Sequence, residues 1–115
     1  MTVYYARSMA IYDTPEEKRD MDLLASLGWM VVPFTPEMQA RAKEEGMVPF
    51  EEAVRTATML IFRALPNGEI GAGVAQEIKT AQEAGIPVLE FPQLKPSRML
   101  SVEETRWHLH AAGQR

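Results

Sequence analysis

The chain contains no cysteine, which excludes a disulfide framework, a thiolate zinc site and a cysteine nucleophile. Histidine is nearly absent too. The two present, His108 and His110, lie two apart on a predicted helix and so face different ways, which suits surface residues or oligomer contacts better than a metal site. No apolar run nears the roughly 20 residues that cross a bilayer, and there is no internal repeat or low-complexity tract. Positive charge is not in excess: the formal net charge is -4, with both signs mixed along the chain. No basic stripe is therefore on offer to a nucleic-acid backbone or an anionic membrane, and small-molecule partners are favoured. The Gly-Lys-Ser/Thr ending of a P-loop and the Gly-x-Ser-x-Gly elbow of a serine hydrolase are both missing. The first residues read as an apolar strand, without a basic leader or cleavage site, so a cytoplasmic location is expected.

What is there is a single domain, residues 1–115, rich enough in apolar residues (46%, against 24% charged) to build one core. Val3-Tyr4-Tyr5-Ala6 is a β-prone run, and Thr14-Pro15-Glu16-Glu17 then supplies an N-cap, a proline at the first helical position and a capping-box glutamate. The helix runs to about Leu27, with Met21, Leu24 and Leu27 inward, and ends at Gly28. Trp29-Met30-Val31-Val32 is a second strand, stopped by Pro33. Thr35-Pro36 opens a polar-rich helix that closes at Gly46, and Pro49 to about Thr56 is a further short one. Met59-Leu60-Ile61-Phe62 is apolar without alternation, as in an interior parallel strand covered on both faces. A loop from Leu65 to Ala72, a helix, and the strand Ile86-Pro87-Val88-Leu89 follow, and Ser101 caps a last helix. Alternating strands and helices predict an α/β fold, a small open parallel-sheet three-layer sandwich of Rossmann or flavodoxin type with about four to five strands. Ligands of such sheets bind beyond the carboxyl ends of the strands, so the loops after Ala6 and after Phe62 are expected to line one crevice.

The most informative stretch is Gly71-Ala72-Gly73-Val74-Ala75-Gln76-Glu77. It begins like a dinucleotide fingerprint, but Gln76 stands in place of the third glycine and the loop follows a late strand, so no cofactor is expected. Val74, Ile78 and Ala81 recur at intervals of four and three and form one buried stripe. At about 100° per residue Glu77 lies roughly 60° from Val74, beside that stripe, whereas Gln76, Lys79 and Glu83 point away. Glu77 is thus the acid placed to be half buried. A half-buried carboxylate behind a glycine loop, which lets a ligand approach the backbone closely, suits a nucleophile; the same residue also complements the helix dipole in a purely structural role. Arg7 and Ser8, at the end of the first strand, offer a cation and a hydroxyl to a phosphate or sugar oxygen. Asp13 and Glu69 are available as a second carboxylate.

These residues resemble motifs of the nucleoside 2-deoxyribosyltransferase-like superfamily, which includes deoxyribosyltransferases and nucleoside 5′-monophosphate N-glycosidases. The resemblance covers most of the chain. Tyr4-Tyr5-Ala6-Arg7-Ser8-Met9 is similar to the family's first-strand ending, and Gly73-Val74-Ala75-Gln76-Glu77, with the spacing onward to Gly85-Ile86-Pro87-Val88-Leu89, is similar to the run that leads its catalytic helix. The resemblance implies that Glu77 is the nucleophile and that Tyr4 or Tyr5 corresponds to the tyrosine that orients it; Tyr4 is assigned to catalysis with Glu77. It implies a substrate-binding set of Tyr5, Ala6, Arg7, Ser8, Asn67, Glu69, Gly71 and Gly73, with Arg7 and Ser8 at the phosphate. Where family members carry acids or a serine this chain has Ala57 or Thr58 and Gly71, with Asn67 and Glu69 the nearest polar residues. The implied activity is cleavage or transfer at the N-glycosidic bond of a (deoxy)nucleoside or its 5′-monophosphate, without metal or cofactor. A non-catalytic nucleotide-binding module and a deoxyribosyltransferase acting on free nucleosides are the alternatives. Many members complete the site across a subunit contact, so a homodimer or larger oligomer is expected, with Trp107, Leu109 and Met38 as contact candidates.

Overall fold

A computed structural model describes residues 1–92 together with 95 and 96. The expectations at Ser101, Trp107, His108, Leu109 and His110 lie outside the described residues. Four parallel strands and one antiparallel edge strand form a single sheet in the order β2-β1-β3-β4-β5, with β1 Thr2–Ala6, β2 Met30–Val31, β3 Met59–Phe62, β4 Val88–Glu90 and β5 Lys95–Pro96. The parallel α/β sheet of four to five strands expected from the alternation of strand and helix is therefore present; the sequence did not locate the two-residue β5. β1 is paired on both sides, to β2 and to β3, which puts the reversal of strand order, and hence the crevice, between β1 and β3.

Side-chain alternation along β1 sorts the core into two layers. Tyr4 and Ala6 join Leu60, Phe62, Val54, Val74, Ile78 and Ala81 on the face covered by α3 (Val48–Thr56) and α4 (Ala72–Glu83). Val3 and Tyr5 join Ile61, Leu24 and Phe91 on the face covered by α1 (Pro15–Ser26). Helix α2 (Pro36–Glu45) packs on α3. Leu60 and Ile61 are fully buried, and each such side chain contributes roughly 1.5–3 kcal/mol through loss of apolar surface from water. The sandwich thus has three layers, with the carboxyl ends of β1 and β3 adjacent.

The local signals act as their chemistry dictates. Thr14 accepts the Glu17 N–H at 3.3 Å and Thr35 accepts the Met38 N–H at 3.2 Å, each ahead of a proline in the first turn. Gly28 and Gly85 follow the ends of α1 and α4 with φ of 75° and 72°, the left-handed backbone that glycine adopts without a Cβ penalty. One face was read wrongly. Of the expected inward residues of α1 only Leu24 is buried, while Met21 and Leu27 are exposed and Asp20 turns in instead. Asp20 is held there by bonds that a periodicity of apolar residues does not register: it accepts from the Tyr5 hydroxyl and from Arg63 Nε and Nη2, the latter two at 2.5 and 2.6 Å. Met38, expected at a subunit contact, is half-buried within its own chain.

Candidate active site

The two tyrosines at the centre of β1 face opposite ways, and each donates its hydroxyl to a buried carboxylate: Tyr5 to Asp20 on the α1 side, Tyr4 to Glu77 on the α4 side. The two pairs differ in charge balance. Asp20 is neutralised by the two-pronged Arg63, a geometry that fixes a carboxylate in place. Glu77 is 6% exposed and, among the described residues, takes part in no ion pair. Burial pushes its titration up to about 7, against the Tyr4 hydroxyl and the charge of Arg7, which both pull it down. Tyr4 is in turn raised by burial and by Glu77, so it remains a neutral donor. The result is a carboxylate that is aimed, poorly solvated and more basic than usual, with no ion-pair partner among the described residues.

Glu77 stands at the floor of a cavity of about 370 Å³, within the range of small-molecule sites. The turn after β1 (Arg7, Ser8, Met9, Tyr12), the start of α4 (Gly71, Ala72, Gly73, Val74), and Phe34, Met47 and Phe50 form its walls with Tyr4. A second cavity, of about 520 Å³, opens on the α1 side around Arg63, Thr14, Glu16 and Glu90; its arginine is already tied to Asp20, and its acids Glu16 and Glu90 are only half-buried. The smaller cavity therefore has the buried carboxylate that, among the described residues, has no ion-pair partner. Its mouth at α4 is bare backbone: Gly71 caps the helix without a side chain, and no acid occupies the first turn. A Cβ on Gly71 would meet no protein atom within 4 Å and one on Gly73 only the Met47 methyl at 4.0 Å, so packing within the chain does not require glycine at either. Unfilled N–H groups at a helix start favour an anionic group.

Arg7 occupies the seam between β1 and the cavity. Its Nε donates to Glu17 at 2.9 Å and its Nη1 to the Tyr5 carbonyl at 2.8 Å. The guanidinium carbon lies 4.6, 5.0 and 4.7 Å from the ring centres of Tyr5, Tyr12 and Phe34, close enough for cation–π attraction to each. Among the described residues these two bonds engage Nε and Nη1 and leave other N–H groups of the fork uncommitted, and Arg7 lines the cavity.

Of the residues singled out from the sequence, the fold brings Tyr4, Arg7, Ser8, Gly71, Gly73 and Glu77 together around this one cavity. Five others, Tyr5, Ala6, Asn67, Glu69 and Asp13, are not there. Tyr5 faces α1, and Ala6 is buried in the core beneath the site. Asn67 and Glu69 are exposed, in a turn where Asn67 Oδ1 accepts the Glu69 N–H at 3.0 Å and the Glu69 carbonyl accepts the Leu65 N–H at 2.9 Å; the side chain of Asn67 serves its own loop. The loop after β3 serves both cavities, with Arg63, Ala64, Leu65, Pro66 and Gly68 at the second and Gly71, followed by Ala72 and Gly73 of α4, at the first. Asp13 is exposed with φ of 60°. Sequence reading passed over Tyr12, Phe34, Met47 and Phe50. Tyr12 sits in an irregular turn and the rest on the crossover between β2 and β3, where no periodicity marks a wall.

No family model matches the chain, and no curated protein matches it in sequence. No helix among the described residues is long and apolar enough to cross a membrane. In three dimensions the chain shares its fold with a solved structure, the CMP N-glycosidase BcmB of Clostridium botulinum: the TM-score is 0.52 at 20% identity, over 78% of this chain and 67% of that one.

Proposed function

We propose that this protein is an N-glycosidase that releases the base from a (deoxy)nucleoside 5′-monophosphate, with Glu77 as the nucleophile and Tyr4 as the residue that orients it. The observation that carries the proposal is the buried Glu77–Tyr4 pair in the lining of a ligand-sized cavity, with no ion pair to Glu77 among the described residues. The ionised carboxylate attacks the anomeric carbon, the bond to the base breaks, and its electron pair leaves with the base. Water then attacks the glycosyl ester from the face the base left, releasing the sugar phosphate and restoring Glu77. Two displacements through oxocarbenium-like transition states replace one harder step, as in retaining glycosidases. Arg7, Ser8 and the bare start of α4 suit the 5′-phosphate. The fold shared with a CMP N-glycosidase supports a nucleotide as the substrate class and a place in the nucleoside 2-deoxyribosyltransferase-like superfamily.

Incubation with a panel of nucleosides and 5′-monophosphates, followed by chromatography for free base, tests this reading. Release from at least one monophosphate, lost in Glu77→Gln, is expected; no release from any member of the panel refutes it. Deoxyribosyl transfer between free nucleosides is the second reading, favoured by the commitment of Arg7 Nε to Glu17. It predicts that unphosphorylated nucleosides are the better substrates.

A further inference from the structure

Tyr12 belongs to the cavity yet has no part in the chemistry described so far. It closes the single 3-10 turn Met9–Ile11, donating its N–H to the Met9 carbonyl at 3.1 Å. The next residue, Asp13, has φ of 60°, a left-handed conformation costly for a residue with a Cβ. Three bonds hold that turn: Glu17 Oε1 accepts the Asp13 N–H at 3.0 Å, and the Ile11 carbonyl accepts both the Thr14 N–H, at 3.2 Å, and the Thr14 hydroxyl, at 2.5 Å. Glu17 uses its other oxygen for Arg7. The Tyr12 ring is thereby set against Arg7 and 6.3 Å from the Phe34 ring, all three lining the cavity that contains Glu77.

We infer that Tyr12 is a further catalytic residue: its hydroxyl donates a hydrogen bond to the base as it departs. The inference rests on the glycosidase reading. When Glu77 displaces the base, the electron pair of the breaking C–N bond collects on the ring system of the base, and a fixed donor there stabilises the transition state more than the ground state. Among the described residues that line the cavity, the side-chain donors are Tyr4, Arg7, Ser8 and Tyr12. Tyr4 is spent on Glu77, and Arg7 and Ser8 stand at the end of β1 suited to the phosphate. Ser8 also caps the turn by accepting the Ala10 N–H at 3.2 Å. That leaves Tyr12. Tyr12 is 37% exposed; desolvation of its covered part raises its titration, Arg7 opposes the rise, and the charge of Glu77 adds to it, so the phenol stays protonated across the working pH range. The base completes its departure by taking a proton from water, and Tyr12 remains neutral throughout.

The test uses Tyr12→Phe, which keeps the ring against Arg7 and Phe34 and deletes only the hydroxyl. Its rate of base release is compared with wild type on the best monophosphate of the panel and on the same sugar phosphate bearing p-nitrophenolate, a leaving group stable as an anion. A loss of kcat on the order of 10²-fold on the base, with little change in KM and less than about threefold loss on the nitrophenyl compound, is expected. Equal rates of the variant and wild type on the base, or equal losses on both substrates, overturn the assignment, the second outcome marking Tyr12 as structural. A wild type that releases neither base nor nitrophenolate refutes the glycosidase reading itself, so the two failures are told apart.

Discussion

Replacing Glu77 by Gln should make the fold more stable at alkaline pH while removing activity. Glu77 titrates near 7 in the folded protein against about 4.5 in an unfolded chain, as ordinary glutamate does. Between those values the folded protein holds a proton that the unfolded chain has released, so stability falls as pH rises through this window and levels off above about 7. The full difference corresponds to about 3 kcal/mol of destabilisation by the ionised, buried carboxylate. Gln has nearly the same shape, carries no charge, and still accepts the Tyr4 hydroxyl. Urea or thermal melts of both proteins from pH 4 to 9 isolate the effect, because every other carboxylate contributes equally to the two curves. The curves should meet near pH 4, separate progressively from about pH 5 and reach their full separation above about pH 7, the variant melting roughly 10 °C higher at pH 8. Coincident curves, or a variant less stable at pH 8, would refute the view of Glu77 as an uncompensated buried acid.

Tyr4→Phe removes the hydrogen bond that pulls the Glu77 titration down, so the acid limb of the kcat/KM profile should move above pH 7 and activity at pH 7 fall by about tenfold; an unmoved limb means the two groups do not interact. Arg7→Ala should weaken 5′-monophosphate binding by roughly a hundredfold and nucleoside binding hardly at all, by calorimetry in the Glu77→Gln background. Equal weakening of both assigns Arg7 to structure through Glu17 and Tyr5. Asp20→Ala leaves Arg63 and the Tyr5 hydroxyl without their shared acceptor and should cost about 3 kcal/mol or more in denaturant melts; a cost below about 1 kcal/mol contradicts the buried pair.

Where side chains follow a period or a cap, the sequence was legible. The Thr14 and Thr35 caps, the unbroken apolar run of β3 and the Val74, Ile78, Ala81 stripe are local signals, and the angular position of Glu77 beside that stripe singled it out as a half-buried acid, although it is buried further than that, at 6% exposure. Legibility ended where polar groups find distant partners. Asp20 is buried because Tyr5 and Arg63, 15 and 43 residues away, satisfy it, and no window on α1 contains that information. The same limit explains why Tyr4 and Tyr5 stayed exchangeable until the register of β1 assigned one to each face. The cavity walls were the least legible part. Phe34, Met47 and Phe50 come from a crossover whose residues meet the site only after the sheet has formed, and Tyr12 from a turn fixed by Glu17.

The most direct test is to trap the glycosyl ester. A 2′-fluoro analogue of the best monophosphate reacts through a transition state made poorer by the electron-withdrawing fluorine, and hydrolysis of the adduct is slowed with it. After incubation and digestion, mass spectrometry should find the sugar phosphate on the peptide that contains Glu77, at Glu77, in the wild type and not in Glu77→Gln. Free base released in quantity from natural substrate, with no adduct on Glu77 or with the same adduct in the Gln variant, would contradict Glu77 as the nucleophile.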